Sequence, residues 1–262
     1  MMQGSLFLLL IASTGLAGFY AKSLSISGAV AAVAVGLAVY LGFGAQGLVL
    51  LGVFFASSSL WSKYKASLKK EMEEKLAKGS RRDWRQVFAN GGTAAIAAFI
   101  YSFDQMPQWL LIFVVSIASA NSDTWASEIG SLSKKNPLDI RSFKRVERGT
   151  SGAVSLLGSA AGLLGSLLIA GLAGVLFSFD LKMTVYSFLF GYLGNLIDTV
   201  LGASIQQAYH CSACGLKTEK KSHCGQPAKQ IKGLRLIDND MVNFLSGFLA
   251  SLLAVSVLRF FS

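Results

Sequence analysis

The sequence predicts an all-α integral membrane protein, a polytopic bundle of about six to eight transmembrane helices, on three observations. Of 262 residues, 53% are hydrophobic and only 15% charged, with mean hydropathy +0.53, whereas soluble domains carry roughly 25% charged residues. Apolar runs recur along the whole chain between short polar links, on the scale of the ~20 residues that cross a bilayer core. Lys and Arg are segregated: of 24, nine lie from Lys63 to Arg85, six from Lys134 to Arg148 and six from Lys217 to Arg235.

Taken in order, the candidate spans are Leu6–Tyr20, Ser25–Leu41, Gln46–Trp61, Val87–Phe103, Trp109–Ile129, Gly152–Phe177, Val185–Gln207 and Val242–Phe261. The first lacks a basic stretch before "LFLLLIAS" and reads as a retained span rather than a cleaved signal. The first two are short and rich in Gly, Ala and Ser, as close helix packing in lipid favours. Positive charge marks the cytoplasmic side. Two spans separate each basic loop from the next, so all three can lie on that side, with both termini opposite. The net charge of +10 then belongs to one face. It serves topogenesis and attraction to anionic lipid, or docks an anionic substrate; no nucleic-acid partner is expected.

One membrane domain, 1–262, therefore carries two cytoplasmic excursions. Residues 62–86 read as a basic loop or amphipathic helix, with Lys69, Lys70, Glu73 and Glu74 spaced for i,i+4 pairs and Gly79 ending it. Residues 208–237 form a Cys/His loop. A weak internal duplication is also legible. "SISGAVAAVAVGLAVYLGFG" resembles "GTSGAVSLLGSAAGLLGSLL", and "NSDTWASEIG" resembles "GNLIDTVLGAS" in placing Asp-Thr near the end of a span.

Acidic groups inside spans are costly and face a protein interior or a polar cavity. Asp123 and Glu128 close the fifth span, Asp198 lies in the seventh, and Asp238 and Asp240 open the eighth, all toward the basic face. At 100° per residue Asp123 shares a stripe with Ser119 and Ser127, and Glu128 one with Asn121 and Thr124. Asn195, Asp198, Gly202 and Gln206 form another stripe, and Asp240, Asn243, Ser246 and Gly247 a fourth. Carboxylates gathered in this way repel unless a cation joins them, and Mg²⁺ shared with substrate phosphates suits such hard oxygen ligands. The alternative is helix packing and capping, which the "DND" at 238–240 would supply whatever the function. There is no GxxxxGK[ST], GxSxG or HExxH pattern. Anion binding would then fall to basic residues such as Lys144 and Arg148, and to the amides of a Gly/Ser-rich helix start, Gly149, Thr150, Ser151 and Gly152.

All three Cys and both His lie in "YHCSACGLKTEKKSHCG". Cys211, Cys214, His223 (or His210) and Cys224 have zinc-compatible spacing, although adjacent ligands strain a simple chelate. Free thiols and a redox role are the alternatives, and a cytoplasmic loop disfavours disulfides.

The stretches "KGSRRDWRQVFANGG", "ANSDTWASEIG", "RGTSGAVS", "HCG" and "DNDMVNFLS" resemble, in order and over nearly the whole chain, the domain of unknown function 92 family. That family includes transmembrane protein 19 and the phytyl-phosphate kinase of plastids and cyanobacteria, and the Asp-Thr-x-Ala core is similar to membrane phytol and dolichol kinases. The resemblance implies a kinase converting an isoprenoid monophosphate into the diphosphate with a nucleoside triphosphate (CTP, GTP or ATP). It implies a central site at Asn121, Ser122, Asp123, Thr124 and Glu128, flanked by Gly149–Gly152, with Asp238, Asn239, Asp240 and Asn243 opposite. The residues fit this without the label: Asp123, Asp198, Asp238 and Asp240 to hold Mg²⁺ on the nucleotide, Lys144 and Arg148 to contact phosphates, and Asn195 beside them. A prenol kinase, a lipid-phosphate cytidylyltransferase and an ion-coupled transporter are the competing expectations.

Overall fold

The computed structural model describes residues 2–260, with the side chains of 2–4, 70, 71 and 73 left aside. Its helices are α1 (Met2–Tyr20), α2 (Ile26–Lys63), α3 (Ala66–Glu73), α4 (Trp84–Asp104), α5 (Pro107–Gly130), α6 (Leu156–Leu176), α7 (Leu181–Ser204) and α8 (Asn239–Phe260). Local chemistry sets the starts. Ser25, Ser155 and Asp180 accept the amides of Gly28, Gly158 and Met183. Asp83 and Gln86 form a reciprocal capping box, and Pro107 begins α5.

Helix α2 turns back on itself at Gly44 (φ 59°, ψ −148°), a conformation that favours glycine. Arg82 touches both of its arms: its carbonyl accepts the Ser25 amide at 2.9 Å and its guanidinium donates to Ser59 at 3.3 Å. The arms, 26–43 and 45–63, match the expected second and third spans, so the described residues hold eight long helical segments when the two arms are counted separately and short α3 is set aside. By length and composition alone α2, α6 and α8 qualify as spans, and α1 holds a shorter apolar stretch, Ser5–Tyr20. Helices α4, α5 and α7 have 21, 24 and 24 residues but mix polar groups into the apolar run. The expected end of the last span, Phe261, lies outside the described residues.

Helix α5 is the axis of the bundle. Residues 111–122 are all buried, and α2, α4, α6, α7 and α8 pack around it. Small residues allow this approach: a Cβ on Gly194 of α7 would overlap the Ser119 side chain. Outward, α1, α6 and α7 present Leu6, Leu9, Leu156, Leu164, Leu167 and Leu189, the apolar exterior that lipid requires.

The links at one end contain short antiparallel strands, which an all-α reading omits. Strand β1 (Leu138–Asp139) pairs with β2 (Ala153–Val154). Strand β3 (Ala208–His210) is flanked by β4 (Lys217–Thr218) and β7 (Lys229–Lys232), and β5 (Ser222–His223) pairs with β6 (Gln226–Pro227). Segment 208–237 thus holds a three-stranded sheet and a separate two-stranded hairpin.

Three other expectations change. Helix α3 ends at Glu73, six residues before Gly79, because the chain leaves it to dock on β4: the Lys75 carbonyl accepts from the Thr218 hydroxyl and the Glu219 amide, both at 2.8 Å. The pairing foreseen for Lys70 and Glu73 involves side chains outside the described set. The sequence repeat at Ser-Gly-Ala has no structural counterpart, since Ser27–Ala29 lie in the first turn of α2 whereas Ser151–Ala153 run through a turn into β2. The Asp-Thr repeat does have one, in the last two turns of α5 and α7.

Candidate functional site

The three basic loops meet at one end of the bundle, and α3 with residues 74–80 lies across that end. Lys69, 3% exposed, anchors this cover: its ammonium reaches Glu128 Oε2 at 2.6 Å and the Trp61 carbonyl at 2.7 Å. The Ser62 hydroxyl donates to the other Glu128 oxygen at 2.7 Å. Further along, Lys75 pairs with Glu147, Lys78 bridges Asp83 and Asp240, and the Ala77 amide donates to Glu219.

Beneath the cover are two cavities of about 200 and 210 Å³. Both are bordered by Met72, Leu76, Ser127, Glu219 and Asn239, so they adjoin. The first is lined by Lys69, Lys78, Arg82, Glu128 and Asp240, with Thr124 and Asn243 at its wall. The second is lined by Asp123 of α5 and by Asn195 and Asp198 of α7. Its mouth is the 148–152 loop, shaped by Gly149 (φ 78°) and Gly152 (φ 82°). Helix α8 positions Asp198: the Ser246 hydroxyl lies 3.3 Å from Oδ2, and the Asn243 amide, oriented to satisfy its neighbours, donates to the same oxygen at 3.1 Å. Among the described residues no hydrogen bond to the Asp123 carboxylate is made.

The chain chemistry allows Mg²⁺ in the second cavity. Mg²⁺ takes one or two carboxylates and completes its shell with water and substrate phosphates, and Asp123 and Asp198 offer two from facing helices. The four-carboxylate set expected from the sequence does not assemble. Asp238 is paired with Arg85 at 2.7 Å and also caps α8 through the Met241 amide, while Asp240 is held by Lys78. Glu128 is likewise held by Lys69.

Other expected positions separate into those at the cavities and those away from them. Asn121 and Ser122 are fully buried and used in packing, donating to the carbonyls of Gly165 and Gly162 at 2.8 Å; Asn121 also accepts from Ser57 and Ser58. Lys144 sits on the exposed 139–144 turn and lines neither cavity, whereas Arg148 lines the second. The foreseen helix start at 149–152 is a turn leading into β2, because α6 begins only at Leu156 under its Ser155 cap. Thr150 donates to the Glu147 carbonyl and Ser151 to Gln206.

Lys78, Arg82 and Glu219 are site-lining groups that the sequence did not single out, and Lys69, expected only to pair along its own helix, lines the first cavity as well. Burial pushes the Glu219 carboxyl above the usual carboxylate range, against the hydrogen bonds from the Ala77 amide and Gln206 that lower it. A third cavity, about 270 Å³ and almost wholly apolar, lies between α1, the arms of α2 and α4. Its polar end is Arg82, Gln86 and Asn90, which also line the first cavity. The Arg82 guanidinium lies over the Phe55 ring at 5.7 Å.

The Cys/His loop also converges. The ligand atoms of Cys211, Cys214, His223 and Cys224 lie within 4.8 Å of one another, and His210 is not among them.

Comparison with known proteins gives a consistent family. The chain is 31% identical to Protein PGR of Arabidopsis thaliana over 258 residues, covering 88% of each protein. It is 29% identical to Protein VTE6, chloroplastic, of the same plant, covering 90% of this chain and 66% of that protein. An uncharacterized membrane protein of Methanocaldococcus jannaschii is 38% identical over 161 residues, 61% of this chain and 65% of the relative. No solved structure matches. With the family model for "Integral membrane protein DUF92" matching residues 9–251, which include both arms of α2 and every acid of the paired cavities, the chain belongs to the DUF92 family of integral membrane proteins.

Proposed function

We propose that this protein is a membrane-embedded isoprenoid-phosphate kinase, transferring the terminal phosphoryl group of a nucleoside triphosphate to an isoprenoid monophosphate. The observation that carries the reading is Asp123, a carboxylate with no hydrogen bond from the described residues, facing the same cavity as Asp198. Two acids so disposed call for a cation, and the cation that suits them travels with nucleotide phosphates. Bound there with the nucleotide, Mg²⁺ would neutralise charge on the phosphate oxygens. The motif resemblance to phytyl-phosphate kinases and the similarity to Protein VTE6 support the acceptor class.

The chain's own groups supply positioning. In this reading the isoprenoid tail occupies the apolar cavity between α1, α2 and α4, and its phosphate meets Arg82 where that cavity adjoins the first. The nucleotide phosphates lie in the second cavity, beside Asp123, Asp198 and Arg148. An acceptor phosphate oxygen attacks the γ-phosphorus, the bond to the β,γ-bridging oxygen breaks, and the nucleoside diphosphate leaves with that electron pair. A phosphate oxygen is already ionised near neutral pH, so positioning and charge neutralisation suffice without a strong general base. The face carrying the basic loops is assigned to the cytoplasm, where water-soluble donor and lipid acceptor meet.

The test is turnover by purified protein in detergent, offered phytyl, geranylgeranyl and farnesyl monophosphates, Mg²⁺ and each labelled nucleoside triphosphate, beside Asp123→Asn. The expected product is a prenyl diphosphate from the wild type, reduced at least about 100-fold in the variant while its fold is retained. Pyrophosphate release with a nucleotide-linked lipid would replace phosphoryl by nucleotidyl transfer. Absence of any product from folded protein would overturn the kinase reading.

A further inference from the structure

We propose that Cys211, Cys214, His223 and Cys224 form a structural Zn²⁺ site whose role is to hold the β3–β4–β7 sheet against the cover of the cavities. Nothing in the proposed phosphoryl transfer uses these residues, and the inference stands apart from it.

The distances from His223 suit a tetrahedral site. Zn–S bonds of about 2.3 Å and Zn–N bonds of about 2.0 Å place the sulfur and nitrogen ligands of a tetrahedron roughly 3.5 Å apart. His223 Nδ1 lies 3.4 Å from Cys214 Sγ and 3.2 Å from Cys224 Sγ, and Cys211 Sγ completes the group. Two turns present these ligands. The first, Cys211–Leu216, is closed by hydrogen bonds of 2.9 Å from the Gly215 amide to the Cys211 carbonyl and from the Cys211 amide to the Leu216 carbonyl. The second is the β5–β6 hairpin, whose two central residues, Cys224 (φ 52°) and Gly225 (φ 72°), both have positive φ. Hairpin turns of this kind prefer Asn-Gly or Asp-Gly, so a cysteine at the first position spends local stability that its thiol can recover as a ligand. With that turn Cys224 Sγ lies 3.2 Å from His223 Nδ1, so the two adjacent residues can serve one metal together.

Chemistry favours zinc over the other ways of closing this loop. Three thiols cannot be paired off as disulfides, whereas one metal uses all three with the imidazole. Three thiolates and one imidazole in a tetrahedron suit Zn²⁺. Binding releases the thiol protons and leaves a closed, singly negative centre with no open position. Strands β4, β5 and β6 have two residues each, too few to hold their own register without a cross-link. What the clip secures is β4 and Glu219, which grip the Lys75 carbonyl and the Ala77 amide of the cover.

The experiment is elemental analysis of the full chain, purified without chelator on a tag other than polyhistidine. About one zinc per chain is expected. Cys224→Ser should lose the metal, and Co²⁺ exchanged into the wild type should give tetrahedral and thiolate charge-transfer bands absent from that variant. Hydrogen exchange across residues 66–78 should quicken on zinc removal. Metal-free folded wild type, another metal at full occupancy, or undiminished zinc in Cys224→Ser would each overturn the proposal; Cys214→Ser provides the same reading if the first variant fails to fold.

Discussion

Replacing Glu128 by Gln should unlatch the cover before it unfolds the bundle. Removing one partner of a buried ion pair costs about 3–5 kcal/mol when the remaining charge is fully enclosed. Here Lys69 is 3% exposed and keeps the Trp61 carbonyl, but Glu128 is 22% exposed at a cavity wall. Gln also retains an acceptor oxygen. Both facts reduce the cost, to about 2 kcal/mol, or an opening constant raised about 30-fold. The stranded charge lies on α3, and α3 joins the bundle through few apolar contacts, so the cost should appear as local opening. Amide hydrogen exchange over residues 66–76 measures this directly. It should accelerate about 30-fold in Glu128→Gln, while exchange in the buried part of α5 stays unchanged. Lys69→Met added to Glu128→Gln removes the stranded ammonium and should recover at least about half of the effect. Exchange over 66–76 altered less than about threefold, or a double variant no better than the single one, would refute the latch.

Gly152→Ala should destabilise the folded protein by about 2–4 kcal/mol, because φ is 82° and the new Cβ would overlap the backbone of Ala203 on α7. Thermal unfolding followed by Trp fluorescence checks it, and an unchanged midpoint would mean that the 148–152 loop does not sit against α7. Glu219→Gln tests the raised carboxyl. A carboxyl raised in the folded state keeps its stability contribution below the unfolded value near 4.3 and loses it as pH rises through the folded value. The variant should therefore match wild type near pH 4 and become relatively more stable with rising pH until the folded carboxyl has ionised. A stability difference that is flat from pH 4 to 8 would contradict the burial of Glu219.

Much of the architecture was legible because lipid imposes it. The break between Leu41 and Gln46 anticipated the reversal at Gly44, and loop charge anticipated that all basic links share one end. Asp123 and Asp198 were legible for the same reason, since a carboxylate in an apolar run needs a polar surround. Asn121 and Ser122 misled because they sit in the same polar stretch. Their partners, the carbonyls of Gly165 and Gly162, lie some forty residues away on α6, and only the packing of α5 on α6 joins them. The basic residues show the converse limit. Lys69, Lys78 and Lys144 are alike in composition and loop context, yet two are folded inward by contacts with Glu128 and Asp240 while the third is on an outward turn. Charge segregation reports which side a loop occupies, and nothing in it reports whether the loop folds back over the bundle end.

That folding back accounts for how three of the five carboxylates at this end are relieved of mutual repulsion. Glu128, Asp238 and Asp240 are matched by Lys69, Arg85 and Lys78, all from the 62–86 link. The first cavity therefore mixes both signs, and Arg82, in no salt bridge among the described residues, is placed to attract a single phosphate where that cavity meets the apolar one. No cation of that link reaches Asp123 or Asp198, so the second cavity stays negative apart from Arg148 at its rim. A bare polyphosphate would be repelled there and a metal-bound one attracted. On the proposed function the two cavities would discriminate between the substrates by charge: the lipid monophosphate would be drawn to the arginine end, and the nucleotide would enter the acidic side only with its cation. Exchanging Asp198 for Asn should accordingly weaken the Mg²⁺ dependence of nucleotide binding while leaving lipid-phosphate binding intact, measurable by titrating each ligand separately. Equal weakening of both would mean that the cavities act as one undivided site.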